Sequence, residues 1–116
     1  MVISSKDNEL VKHIKKLKEK KYRDEYGEFI VEGFKMIEEA IEEKVKIIKI
    51  IICDDCRQTC SLPQNLMYEV EKFDCEYETE KVFNNITNVV NHQGFLAMVD
   101  KIDIVNAIVD YSQDNF

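Results

Sequence analysis

The sequence predicts an α/β fold, a three-layer α/β/α sandwich in which helices cover both faces of a small mixed sheet. Three observations carry this expectation. Helical and strand periodicities alternate at short intervals along the chain; residues 47–52 are isoleucine at every position but Lys49, as in a strand covered on both faces; and 116 residues, 45% hydrophobic and 34% charged, with one proline and three glycines, suit a single domain with a real core.

Taken in order, Ser4 or Ser5 is expected to cap a first helix, because Leu10, Val11, Ile14 and Leu17 follow at the i, i+3, i+4, i+7 spacing of one apolar face. The pattern predicts that this helix reaches about Lys21, with Lys12, Lys15, Lys16 and Lys20 on the opposite side. Residues 22–27 read as a charged turn closed by Gly27, and Phe29, Ile30 and Val31 as a short buried strand ending at Glu32-Gly33. A second helix has Phe34, Ile37 and Ile41, flanked by Met36 and Ala40, as its core stripe, with Glu38, Glu39, Glu42 and Glu43 outward. Residues 47–52 form the expected sheet centre. A loop over 53–65, a short helix over 65–72, a strand over 75–77, a helix over 80–86 and a strand over 94–99 complete the domain. Residues 103–111 carry a further helical pattern before a polar tail.

Net charge is −7, yet it is unevenly spread. Residues 1–26 hold eight basic and five acidic side chains, a net +3, whereas the remaining ninety hold eight basic and eighteen acidic, a net −10. A basic face attracts phosphates within a Debye length, about 8 Å at physiological salt, and acidic surfaces farther away are screened. A polyanionic partner is therefore admissible at the N-terminal end, where the alternative is an ordinary solvated helix surface.

Several functions are excluded. With Gly27, Gly33 and Gly94 the only glycines, no Rossmann or P-loop fingerprint exists. His13 and His92 are too few and too separated for a histidine-rich metal centre. The longest apolar run, residues 47–53, is far shorter than the roughly 20 residues of a membrane span, so no membrane association is expected. No hydrophobic leader follows Met1, so the expected location is cytoplasmic, with reduced thiols.

Cys53, Cys56, Cys60 and Cys75 supply the four thiolates of a structural zinc site, but only the first two form a C-x-x-C knuckle, and Cys53 ends an apolar strand where cysteine serves as a small hydrophobe. No metal site is assigned, and a zinc-stabilised interaction domain stays open as an alternative. Asp54 and Asp55 between the pair oppose a thioredoxin-like role. Ser4, Ser5, Ser61, Ser112, the cysteines and the histidines are not organised into any nucleophile motif, so no catalytic residue is assigned. His92 beside Gln93-Gly94 is a polar cluster before a strand, with a simple turn as its other reading.

A larger constellation remains: Asn8 and Lys12, Lys20-Lys21-Tyr22-Arg23, Gly27-x-Phe29-x-x-Glu32-Gly33, Glu39-Ala40 and Gln93-Gly94-x-x-Ala97. In order and spacing it resembles the N-terminal substrate-binding domain of the TrmH/SpoU family of RNA 2'-O-ribose methyltransferases, over about residues 3–100. The resemblance implies a sandwich similar to kink-turn-binding ribosomal proteins. It also implies contacts to structured RNA, rRNA or tRNA, from the first helix and the turn after it: Asn8, Lys12, Lys15, Lys16, Lys20, Lys21, Tyr22 and Arg23. Lysines would meet phosphates as point charges, Arg23 in bidentate fashion, and Tyr22 would stack on a base; packing on the first helix is the other role open to Tyr22. Glu32 would either meet substrate or bond nearby backbone.

In that family, S-adenosylmethionine binding, methyl transfer and homodimerisation belong to a separate C-terminal domain, so no cofactor and no catalysis are expected of this chain alone. Residues 1–102 would be the RNA-binding domain and 103–116 a linker helix and tail. A free-standing ribosome-associated or kink-turn-binding module is the rival reading.

Overall fold

The computed structural model describes residues 2–56 and 64–101. They form β1 (Val2–Ile3), α1 (Glu9–Lys16), α2 (Lys20–Tyr26), β2 (Glu28–Glu32), α3 (Phe34–Glu42), β3 (Ile47–Cys53), α4 (Gln64–Val70), β4 (Cys75–Glu78), α5 (Glu80–Ile86) and β5 (Phe95–Asp100). The strands make one mixed sheet in the order β1-β4-β3-β5-β2. β1 and β3 flank β4 in parallel, while β5 runs antiparallel to both β3 and β2.

The isoleucine run lies at the middle of that order, as expected, and the two-residue periodicity of strands divides it between two cores. Ile50 and Ile52 join Phe95, Ala97 and Val99 beneath α3 and α4, with Ile37, Ala40, Leu66 and Val70. Ile51 and Cys53 join Leu96 on the other face, beneath α1 and α5, with Val11, Ile14, Val82, Phe83 and Ile86. Ile50, Ile51 and Ile52 are wholly buried, each contributing about 2–3 kcal/mol of transfer free energy. The three-layer α/β/α sandwich is thus observed.

Several local expectations need correction. The first helix does not reach Lys21; α1 stops at Lys16 and α2 starts afresh at Lys20. The apolar stripe ends at Leu17, and the positions three and four residues on are Lys20 and Lys21, so nothing holds a longer helix against the sheet. Residues 20–26 are accordingly a helix rather than a turn, closed by Gly27 at φ 68°. The cap of α1 is Asn8, whose Oδ1 accepts from the Leu10 N–H at 2.8 Å; neither Ser4 nor Ser5 serves. β2 is the sheet's edge strand rather than a buried one, with only Val31 fully covered and Phe29 37% exposed. Met36 is turned outward on α3. β1 escapes sequence reading because two residues carry no periodicity. The expected helix over 103–111, the linker beyond it and Cys60 lie outside the described residues.

The sheet separates two of the four thiols on which the zinc alternative rests. Cys53 ends β3 opposite Glu78, whereas Cys75 begins β4 opposite Ile50, and the two point to opposite faces. Among the described residues no group of three or more His, Cys, Asp or Glu side chains is placed to hold a metal ion.

The family-like motif pieces converge on one clasp. Gln93 Oε1 accepts from the Phe34 N–H at 2.7 Å, both Glu32 carboxylate oxygens lie 3.3 Å from the Asn88 N–H, and the Gly33 N–H donates to Phe95 O. Glu32 therefore takes the backbone role. Gly33 has φ 91° and ψ 158°, a conformation almost confined to glycine, and a Cβ there would sit 3.0 Å from Gln93 Oε1. Gly33→Ala is expected to lower unfolding free energy by about 1–3 kcal/mol, read from urea melts.

Glu78 is the one buried charged residue among those described, and neither carboxylate oxygen has a hydrogen-bond partner. Burial, helped by Glu76, pushes its carboxyl up to about 7. Because the folded value exceeds the unfolded one, the folded state holds the proton more tightly between about pH 4.5 and 7, and stability falls as pH rises through that window. The loss expected from this group between pH 4.5 and 8 is up to about 3 kcal/mol. Glu78→Gln should flatten that slope in melts across the range.

Candidate nucleic-acid interface

The basic N-terminal segment is split by the break at residues 17–19, and the break decides what each charged side chain does. The last N–H groups of α1's end tighten, Lys18 N–H to Lys15 O and Glu19 N–H to Lys16 O, leaving later carbonyls open. Arg23 fills that gap. Its Nη1 donates to Leu17 O at 3.0 Å and to Lys18 O at 2.8 Å, placing a cation at the negative end of α1. The guanidinium also lies 5.8 Å from the Phe29 ring centroid. Arg23 is thus the brace between α1, α2 and β2.

Other expected contact residues are also engaged. Asn8 is spent on the α1 cap. Lys12 faces Glu9 at 3.9 Å with both side chains largely exposed, a pairing of little energy. Lys20 meets Asp24 at 3.0 Å, and Lys101 pairs with the same carboxylate. Those two ammonium groups, Lys101 foremost, hold the Asp24 carboxyl down at about 2.

Lys15, Lys16 and Lys21 form no ion pair among the described residues. Lys16 and Lys21 flank Tyr22, with Nζ atoms 5.7 and 5.4 Å from its ring centroid. Tyr22 stacks on Tyr26 at 6.2 Å and 16°, the product of their i, i+4 spacing on α2. Tyr26, 41% exposed, takes the His13 ring edge-on at 4.7 Å, and His13 meets the Glu28 carboxylate at the start of β2. The expected set is thereby sorted: Lys16 and Lys21 lie over the Tyr22 ring, Lys15 on α1 forms no ion pair, and Asn8 and Arg23 build the scaffold. Tyr26 and His13 join this cluster without belonging to the expected set; the Tyr-x-x-x-Tyr spacing was the available signal, but only if residues 22–26 were read as helix.

Beside this cluster a groove of about 320 Å³ runs between the α1–α2 junction and the end of α5, lined among others by Lys18, Arg23, Phe29 and Asn88. On the far side of the sheet α3 exposes Glu38, Glu39, Glu42 and Glu43. The sheet therefore lies between this glutamate row and the α1 lysines, a separation on the order of 10 Å per layer and beyond the screening length.

A family model described as the MRM3-like substrate binding domain matches residues 8–97. No curated protein matches the chain. Solved structures that resemble it include an RNA 2'-O ribose methyltransferase, with TM-score 0.72 and 22% identity over 87% of this chain and 38% of that one. An rRNA methyltransferase from Sinorhizobium meliloti gives TM-score 0.67 and 25% identity over 86% of this chain and 36% of the other. The SpoU methyltransferase AviRb from Streptomyces viridochromogenes, in complex with the cofactor AdoMet, gives 0.64 and 17% over 80% and 33%. The chain spans less than two fifths of the length of each. With the matched segment reaching from the α1 cap into β5, the chain belongs to the MRM3-like substrate-binding domain family and has the fold found in TrmH/SpoU-type RNA methyltransferases.

Proposed function

We propose that this domain holds structured RNA, rRNA or tRNA, for a cytoplasmic ribose-2'-O methyltransferase whose S-adenosylmethionine site and dimer contacts lie in a further domain beyond residues 103–116. The observation that carries the reading is the pair of lysines without ion pairs, Lys16 and Lys21, over Tyr22 of the Tyr22–Tyr26 step, with Lys15, also without an ion pair, on α1 next to Lys16. Phosphates would meet the ammonium groups, and an unstacked base would lie on the aromatic face. The contribution is positioning: a ribose hydroxyl held in register with a distant methyl donor reacts as an intramolecular partner.

S-adenosylmethionine is assigned to that further domain and not to the described residues. Of the three glycines, Gly27 closes α2, Gly33 is occupied by the clasp and Gly94 is buried before β5. No methyl-transfer step is assigned to them.

Titration of a folded rRNA hairpin and of a tRNA at rising salt tests the reading. A linear fall of log affinity with log salt is expected, and Lys15→Glu/Lys16→Glu/Lys21→Glu should reduce its slope by roughly 2–3 and weaken binding at every salt. Lys20→Glu, which removes an ion already paired with Asp24, should cost less. Equal binding by the wild type and the triple variant would refute the assignment. Arg23→Ala should instead register first in thermal melts, because it uncaps α1.

A further inference from the structure

The end of β3 brings together groups that the RNA reading leaves unused. Cys53 is wholly buried in the core beneath α1 and α5, Cys56 is part-buried against the same core, and their Sγ atoms lie 2.7 Å apart. The intervening turn is pinned at both residues: the Asp54 N–H donates to Glu78 O at 2.8 Å, and Asp55 Oδ2 accepts from the Glu80 N–H at 2.9 Å. Glu78 is Cys53's register partner on β4 and shares its face of the sheet. Its two carboxylate oxygens are buried and without a hydrogen-bond partner.

We propose that Cys53 and Cys56 form a modification site for low-molecular-weight disulfides, closing to an internal disulfide with Glu78 taking the proton of Cys53. In the first step the Cys56 thiolate, its proton given to solvent, attacks one sulfur of the small disulfide. An S–S bond forms on Cys56, the reagent's S–S bond breaks, and one thiolate leaves and is protonated. In the second step the Glu78 carboxylate, opposite Cys53 on the same sheet face, is brought within reach by a side-chain rotation and takes the thiol's proton, and Cys53 Sγ attacks Cys56 Sγ. The internal disulfide forms, the bond from Cys56 to the reagent breaks, and the second leaving thiolate collects the proton from Glu78. Two protein thiols are oxidised by two electrons, and one small disulfide is reduced to two thiols.

Three features favour closure over a lasting mixed disulfide. The sulfurs already touch, so the second step is intramolecular. The attacking Cys53 is sealed from water, and the carboxyl of its register partner on the same sheet face exchanges protons near neutrality, since burial holds it up at about 7. The residues between the thiols, Asp54 and Asp55, are both acidic and supply no cation to the pair. The site is accordingly a staple of this chain's own fold and not a catalyst of exchange in other proteins.

The test is incubation of the chain in glutathione disulfide, acid quench, alkylation, and intact-mass and peptide mapping. Wild type is expected to lose two hydrogens, retain no glutathione and map to a Cys53–Cys56 bond, with Cys60→Ser and Cys75→Ser behaving alike. Cys53→Ala should stop at a glutathione adduct on Cys56, and Glu78→Gln should hold that adduct roughly tenfold longer or more. A wild-type bond that maps to Cys60 or Cys75, or glutathione that stays on wild-type Cys56, would overturn the site. Closure of Glu78→Gln at the wild-type rate would overturn the role of Glu78.

Discussion

Burial of β3 and β5 on both faces is the constraint from which the rest of this molecule follows. A strand whose successive side chains enter two different cores must be covered by helices above and below, and Ile50–Ile52 against Phe95–Val99 leaves neither face for water. Shorter neighbours then suffice, the parallel β4 and β1 beyond β3 and the antiparallel β2 beyond β5, and the edge strands β1 and β2 tolerate exposure. The same constraint puts the glutamate-lined α3 and the lysine-lined α1 on opposite faces, so a chain of net charge −7 presents a locally basic surface.

That surface is organised by helix ends more than by charge number. One arginine satisfies the carbonyls left open where α1 stops, and in doing so sets the direction in which α2 leaves and the place where Tyr22 and Tyr26 stack. Basic residues of the N-terminal segment thus fall into two kinds: those consumed in building the α1–α2 junction, and those the junction leaves facing solvent. Composition counts both equally. Only the second kind is electrostatically available to a phosphate backbone, because a cation already neutralised by a neighbouring carboxylate releases no counterion on binding.

The C-terminal end of β2 repeats the theme of motif residues serving structure. Glu32, Gly33 and Gln93, which belong to the resemblance, tie the exit of β2, the start of α3 and the approach to β5 through backbone hydrogen bonds. A short motif can therefore identify a family while acting entirely through the fold, and the RNA-facing residues need not be its most distinctive ones.

The fold class, the central strand, α3, α4, α5 and β5 were legible in the sequence, because their apolar residues recur at periods that a single element must bury, and the +3 segment against the −10 remainder was legible by counting. Legible too was the family, from the order of its motif pieces. What the linear pattern did not contain was the break at residues 17–19, the edge position of β2, the two-residue β1 and the identity of the α1 cap, since each depends on where a neighbouring element ends. Nor did it contain the fate of individual cations, or the meeting of Cys53 with Glu78 and its separation from Cys75. Strand register and sheet face decide which side chains are neighbours, and neither is a local property of the chain.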